Sequence, residues 1–191
     1  MRFVRCLSLT LFLLPLACGG REEVPPPETR PFPVFRVSTG QGEGKREIVA
    51  FLSPVEIDAA GGLSGRAAVG ALRGSGTELT PENFQANQLF VEFFHEIVRT
   101  KVPMMSIYID EAERVGDGWL HVRDLRAAGA DAELEKIDVI GSFQVAGGRI
   151  LPDSYVPNGS YRVLGPHGFP LLPAELQGAV LRAMRKLTVG E

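Results

Sequence analysis

Residues 80–100 read TPENFQANQLFVEFFHEIVRT, and this stretch is predicted to form the one long helix around which the chain folds. Thr80 suits the N-cap because its hydroxyl can accept a first-turn N–H, and Pro81 fits the first helical position. The helix is expected to end at Thr100, ahead of Pro103. At about 100° per residue, one arc of roughly 220° collects the apolar side chains: Phe84, Ala86, Leu89, Phe90, Val91, Phe93, Phe94, Ile97 and Val98.

So wide an apolar arc needs cover on more than one side, which predicts a curved antiparallel sheet around the helix. Asn87 interrupts the arc, and a buried amide without partners costs about 1–3 kcal/mol, so it must be hydrogen-bonded. It is either a core amide that holds strand or loop backbone, or a polar group that lines a pocket. Glu92 and His95 have the Glu-x-x-His spacing of a di-iron half-site. The motif occurs once, on the polar arc, which predicts a solvated face and no metal.

The rest of the domain alternates between short apolar runs and turn residues, which is typical of antiparallel strands. Strands are predicted at 34–38, 46–53 with a continuation at 55–58, 104–115, 119–126, 137–145, 149–151, 154–156 and 161–164. Two of the predicted hairpins turn at Gly116-Asp117-Gly118 and at Asn158-Gly159. Residues 66–73 are either a strand of small residues or a mobile loop. Residues 173–187 are predicted as a second, C-terminal amphipathic helix, so the fold class is α+β.

The N-terminus has the build of a secretory signal. Residues 1–17, MRFVRCLSLTLFLLPLA, place Arg2 and Arg5 before an apolar core, Leu7 to Leu16, that is too short to cross a bilayer. The next residues complete the sequence LPLACGG at 14–20, which resembles the lipobox of bacterial lipoproteins. The resemblance implies cleavage before Cys18, a diacylglycerol on its thiol, and a further acyl chain such as palmitate on the new N-terminus. In that family an Asp directly after the lipidated Cys often marks retention in the inner membrane. Gly19 stands at that position, so the resemblance implies the outer membrane.

A proline-rich segment follows the predicted lipid anchor. Residues 19–33 read GGREEVPPPETRPFP, with five prolines between positions 25 and 33. Such a spacer rises about 3.1 Å per residue, or roughly 45 Å in all, and would hold the domain away from the membrane. The predicted organisation is therefore a signal peptide at 1–17, a lipidated cysteine and tether at 18–33, and a single domain at 34–191.

Charge and cysteine content narrow the function. Without residues 1–17 the chain has 18 basic and 23 acidic residues, a net charge of −5, which disfavours binding to nucleic acid or anionic lipid surfaces. Cys6 would leave with the signal and Cys18 would carry lipid, so the mature domain would have no thiol nucleophile. The three histidines, at 95, 121 and 167, share no ligand-like spacing. We therefore expect neither an enzyme nor a cofactor.

Two functions fit these features. The first is a non-catalytic interaction or assembly module, anchored in the outer membrane, that faces the periplasm and binds another envelope protein. Its candidate contacts are the aromatic residues Trp119, Tyr155 and Tyr161, because aromatic side chains anchor interfaces. The alternative is a carrier for a lipid or another apolar ligand, held between the sheet and the long helix, with Asn87 fixing a head group.

Overall fold

The computed structural model describes residues 28–39, 46–74, 78–126 and 138–187. The predicted signal peptide and Cys18 lie outside these residues. So do residues 40–45 and 127–137.

The described residues form both helices and antiparallel strands, which confirms the α+β class. The helices are α1 (Pro54–Ala59), α2 (Gln88–Lys101), α3 (Ser106–Val115) and α4 (Ala174–Met184), with 3₁₀ turns at Val102–Met104 and Pro152–Ser154. The strands are β1 (Thr29–Pro31), β2 (Phe35–Thr39), β3 (Arg46–Ala50), β4 (Ala68–Leu72), β5 (Phe84–Ala86), β6 (Gly118–Arg123), β7 (Val139–Ala146), β8 (Arg149–Ile150), β9 (Val156–Pro157) and β10 (Leu171–Pro173).

These strands form three antiparallel sheets, where the sequence predicted one. The first sheet pairs β1 with β10, and the second has the order β2-β3-β4-β5. In the third sheet β7 is central, with β6 along one side and both β8 and β9 along the other. Residues 66–73, for which the sequence allows either a strand or a loop, contain β4.

Helix α2 begins seven residues later than predicted, because residues 84–86 pair with β4 instead. Phe84 lies opposite Leu72, and its ring lies against Gly70, where an added Cβ would come 2.4 Å from the ring. The predicted cap, Thr80, starts only a turn, and Asn87 caps the helix by accepting the N–H of Leu89. The apolar face of the true helix buries Phe90, Phe93, Phe94, Ile97 and Val98, whereas Leu89 is exposed.

Two predicted strands are helices. Residues 55–58 belong to α1, because Ser53 and Glu56 cap each other's backbone N–H groups and Pro54 occupies the first turn. The segment 106–115 is α3, which buries Tyr108 and Ala112, four residues apart on one face. Glycine at 116, with φ of 70°, ends α3 and leads into β6.

The predicted hairpin at Asn158-Gly159 is wrong. Neither residue has the positive φ that a type I′ turn requires, and the turn instead runs from Asn158 to Tyr161, whose N–H donates to the Asn158 carbonyl. Strand β9 pairs with β7 through Gly141–Pro157 and Ser142–Val156, and the side-chain amide of Asn158 donates to the Val139 carbonyl. Tertiary pairing with β7 thus replaces the local hairpin.

The last residues of the predicted tether pack on the domain. Strand β1 pairs with β10, and the buried amide of Gln177 on α4 donates to the Pro31 carbonyl at 2.8 Å. Phe32 is buried and stacks on Phe51 with ring centroids 4.4 Å apart. The described domain therefore includes residues 28–33.

A chain of aromatic rings runs through the core and ends beside the concave surfaces described below. Phe51 meets Phe90 edge to face at 5.8 Å, Phe90 stacks on Phe94 at 6.1 Å, and Phe94 stacks on Tyr161 at 6.1 Å. Such ring pairs add about 0.5–1.5 kcal/mol each beyond their buried area. They connect the residue after β3, helix α2 and the segment after β9 into one core.

Candidate functional site

The third sheet has one buried and one open face. Along β6, Leu120 and Val122 are buried, whereas Trp119 and His121 are exposed. The register places Trp119 opposite Gln144 and His121 opposite Ser142 on β7, and Ser142 lies opposite Val156 on β9. Because paired residues point to the same face, this open face carries side chains from β6, β7 and β9.

A shallow depression of about 460 Å³ lies on this open face. We call it the outer-face groove; it is lined by Trp119, His121, Val139, Ser142, Val156, Pro157 and Asn158. Nδ1 of His121 lies 2.8 Å from Oγ of Ser142, in a hydrogen bond that fixes the imidazole beside the groove. Trp119 is 47% exposed and Val156 is 53% exposed, so two large apolar side chains meet solvent on one face.

A second concave surface lies between α2 and the β9 segment and has a volume of about 680 Å³. We call it the helix groove. Its helix wall is mostly polar, with Gln88, Glu92, His95, Glu96 and Arg99, and its opposite wall includes Tyr155, Pro157 and Tyr161. Pro157 and Asn158 line both grooves, so β9 and the residue after it form the ridge between them.

Tyr155 links the third sheet to α2. Its ring lies over Gly141 of β7, where an added Cβ would come 2.4 Å from the hydroxyl oxygen, and it packs 4.9 Å from the ring of Phe143. Its hydroxyl lies 2.7 Å from Nδ1 of His95. Burial raises the pKa of Tyr155 and lowers the pKa of His95, so both groups favour their neutral forms.

Tyr161 forms part of a buried ionic network behind the helix groove. Its hydroxyl donates to Oδ2 of Asp124 at 2.8 Å, and the Arg126 guanidinium lies over its ring. Oδ1 of Asp124 accepts the N–H groups of Arg126 and Leu171, and Oδ2 lies 3.2 Å from Nε of Arg126. Burial raises the pKa of Asp124, and the neighbouring guanidinium and these hydrogen bonds oppose that shift.

The Asn87 side chain hydrogen-bonds to backbone groups, as expected for an amide that holds strand or loop backbone. Its Oδ1 caps α2, and its Nδ2 donates to the carbonyls of Gly65 and Ala68, both at 2.7 Å. Its neighbours Ala86 and Gln88 line the helix groove, whereas Asn87 is not one of the lining residues.

The structure divides the predicted contact residues between two surfaces. Trp119 lines the outer-face groove, Tyr155 and Tyr161 line the helix groove, and Cys18 lies outside the described residues. Sequence reasoning missed the His121–Ser142 pair and Val156. It paired residues 119–126 with the segment that is α3, and only the β6–β7 register brings these side chains together.

Two further observations bear on the kind of site. Within ranges 28–39, 46–74, 78–126 and 138–187, no three His, Cys, Asp or Glu side chains are grouped so that they could hold a metal ion. None of the helices in the described part of the chain has the length and apolar character needed to cross a bilayer.

The chain matches no protein-family model, no curated protein and no solved structure.

Proposed function

We propose that this protein is a lipoprotein anchored in the outer membrane through Cys18, and that its domain binds another envelope protein without catalysing a reaction. The anchor rests on the resemblance of residues 14–20 to a lipobox. The ten residues from Cys18 to Pro27 would reach about 35 Å at full extension. The domain would then work close to the membrane surface.

The outer-face groove is the proposed contact surface. The observation that carries this proposal is the exposure of Trp119 and Val156 together on one open sheet face. Tryptophan is enriched among the residues that dominate binding energy, and burying one such side chain often contributes about 2 kcal/mol or more. The half-buried ridge residue Asn158 and the fixed His121–Ser142 pair would supply a polar rim.

Site-specific crosslinking in intact cells tests the contact surface. A photo-reactive amino acid at position 121 should give a discrete adduct with one envelope protein. Trp119→Ser should strongly reduce that adduct, because the neighbouring aromatic anchor is lost. Val55→Ser is the matched control, since Val55 is an exposed apolar residue on α1, outside the groove. An adduct of equal yield in both variants would contradict the proposed surface.

Fractionation tests the anchor. Cys18→Ser should move the protein from the membrane fraction to the soluble fraction. The intact thioether-linked lipid should be found by mass spectrometry on the mature N-terminal peptide of the unaltered protein. Retention of the Cys18→Ser variant in the membrane would mean that the anchor lies elsewhere.

A carrier of a lipid or another apolar ligand is the second candidate, and the helix groove favours it. Its volume of about 680 Å³ is within the 300–1,000 Å³ typical of small-ligand sites, and two tyrosines form one wall. This candidate also depends on the strands curving around α2. Native mass spectrometry of the protein released gently from membranes distinguishes the carrier from the interaction module. A carrier would show an added mass from bound ligand, and Tyr161→Ala should reduce the fraction of protein that carries it.

A further inference from the structure

A third concave region lies beside the segment that follows β9. It has a volume of about 540 Å³. We call it the loop pocket; it is lined by Arg126, Asp138, Gly159, Ser160, Tyr161, Arg162, Gly165, Pro166 and His167. It shares Gly159 and Tyr161 with the helix groove, but its charged residues are different.

Arg126 builds one wall of the loop pocket. Its guanidinium donates to the carbonyls of Arg162, Val163 and Gly168, at 2.5, 3.0 and 2.7 Å. Residues 165–168 close a tight turn, in which the N–H of each glycine donates to the carbonyl of the other. These bonds leave Arg126 committed to the loop backbone and to Asp124, so it has little capacity to neutralise another carboxylate.

Asp138 is the acidic residue among those that line the loop pocket. The residue is only 8% exposed, yet its carboxylate has no hydrogen bond or ion pair with any residue that the structure describes. Its backbone carbonyl accepts the Asp124 N–H, which holds the residue in place at the pocket wall. The carboxylate oxygens are not sealed from solvent, because within the described residues no buried side-chain oxygen or nitrogen lacks a hydrogen-bond partner. The small exposed part of Asp138 therefore includes its carboxylate, and a bound molecule with N–H donors can reach it.

The opposite charge lines the same pocket. Arg162 and His167 are exposed, and within the described ranges neither side chain has a hydrogen-bond or ion-pair partner. A guanidinium presents several N–H donors in a fixed fork that matches a carboxylate. The pocket therefore offers an acceptor for a cation at Asp138 and donors for an anion at Arg162 and His167.

We propose that the loop pocket binds a small zwitterion of the amino-acid class, with its ammonium group at Asp138 and its carboxylate at Arg162 and His167. An ammonium has three donors and no acceptor, which complements an unpartnered carboxylate. The pocket volume suits a single amino acid or a dipeptide. A simple cation would be repelled by Arg162, and a simple anion would be repelled by Asp138, so both charges are required on one ligand.

Saturation-transfer NMR on the full-length protein in detergent tests this proposal. The probes are single L-amino acids and glycylglycine at about 1 mM, with methylamine and acetate as single-charge probes. At least one zwitterion should receive saturation from the protein. Methylamine and acetate should each bind at least about tenfold more weakly than that zwitterion. Asp138→Asn and Arg162→Gln should each weaken binding of that zwitterion by about tenfold or more.

Asp153→Asn and Arg149→Gln are the matched controls, because both residues are exposed and neither lines the loop pocket. They should leave binding unchanged. Arg162 is on the surface, so its variant is expected to fold even if the Asp138 variant does not. No saturation of any zwitterion, or equal binding by the Asp138, Arg162 and control variants, would overturn the proposal. Crosslinking through position 121 is a separate readout, which the Arg162 variant should not alter.

Discussion

The Tyr155 hydroxyl lies 2.7 Å from Nδ1 of His95, and this contact joins the third sheet to helix α2 across a gap of sixty residues in the chain. It depends on Gly141, because the tyrosine ring occupies the space where any other residue would place a Cβ. One backbone position without a side chain thus allows the wall of the helix groove to form.

Gly141→Ala should destabilise the protein by about 1–3 kcal/mol, since the added methyl group forces Tyr155 off its position. Urea denaturation measures the change in the free energy of unfolding. Gly159→Ala is the control, because an added Cβ there meets no atom within 4 Å. If the two variants were equally stable, Tyr155 would not lie on Gly141.

His95 should make the protein less stable as the pH falls. Burial lowers its pKa in the folded state below the ordinary value of 6.5, so below pH 6.5 the unfolded chain binds the proton more readily. The stabilising contribution is complete above pH 6.5 and is lost as the pH falls towards the lowered pKa. The slope from this one group can be at most about 1.4 kcal/mol per pH unit.

Urea denaturation at pH 7 and at pH 5 measures this effect. His95→Gln should reduce the loss of stability between the two values, because the buried group no longer titrates. His121→Gln should keep the loss, since His121 is exposed on the outer face. A loss that persists unchanged in the His95 variant would assign the pH dependence to other groups.

Arg126→Ala should cost about 3–5 kcal/mol of unfolding free energy. The change leaves Asp124, which is 3% exposed, without its cationic partner and frees three loop carbonyls. Arg114→Ala, which breaks an exposed pair with Glu111, should cost about 0–1 kcal/mol. Chemical denaturation of both variants measures these losses of unfolding free energy. If Arg126→Ala lost as little as Arg114→Ala, Arg126 and Asp124 would not form a buried ion pair.

Glu56 should titrate far below an ordinary glutamate. The Ser53 N–H and then the Arg185 side chain lower its pKa to about 2. NMR titration of the side-chain carboxyl carbon measures the value. Arg185→Ala should raise it only in part, because the backbone N–H of Ser53 remains as the larger cause. A value near 4.5 in the unaltered protein would mean that the α1 cap and its bridge to α4 do not form in solution.

Several elements were predictable because their signal is local. The apolar spacing of residues 90–98 and of α4 follows one helical face, and the structure buries Phe94 and Val180 as that spacing requires. The pair Ser53 and Glu56 also carried a readable capping box, which the strand interpretation of 55–58 overlooked. Segment 106–115 was harder, because Ile107 and Ile109 suggest a strand when read without the Tyr108–Ala112 spacing.

Other outcomes were decided by partners far away in the chain. Thr80-Pro81-Glu82 is a good helix start, yet the pairing of residues 84–86 with β4 delays α2 to Gln88. Asn158-Gly159 is a good hairpin turn, yet β9 pairs with β7. In both cases the backbone hydrogen bonds and buried area gained from a distant strand outweigh the local preference.

The candidate site also combines features that the sequence predicts with features that only the structure decides. Residue type alone selected Trp119, Tyr155 and Tyr161 as contact candidates, but it did not separate the surfaces that they line. That separation depends on register, because a shift of one residue moves a strand's side chains to the opposite face.

The sequence by itself determined the α+β class, the apolar faces of two helices, and the features that predict a signal peptide and a lipidated Cys18. These follow from composition and short-range periodicity, which need no knowledge of distant contacts. The tertiary structure alone decided that Trp119 faces solvent while Tyr155 packs inward on Gly141, and that Asp138 lines the same pocket as Arg162. Such juxtapositions arise from strand register and from buried hydrogen bonds between segments that are far apart in the chain.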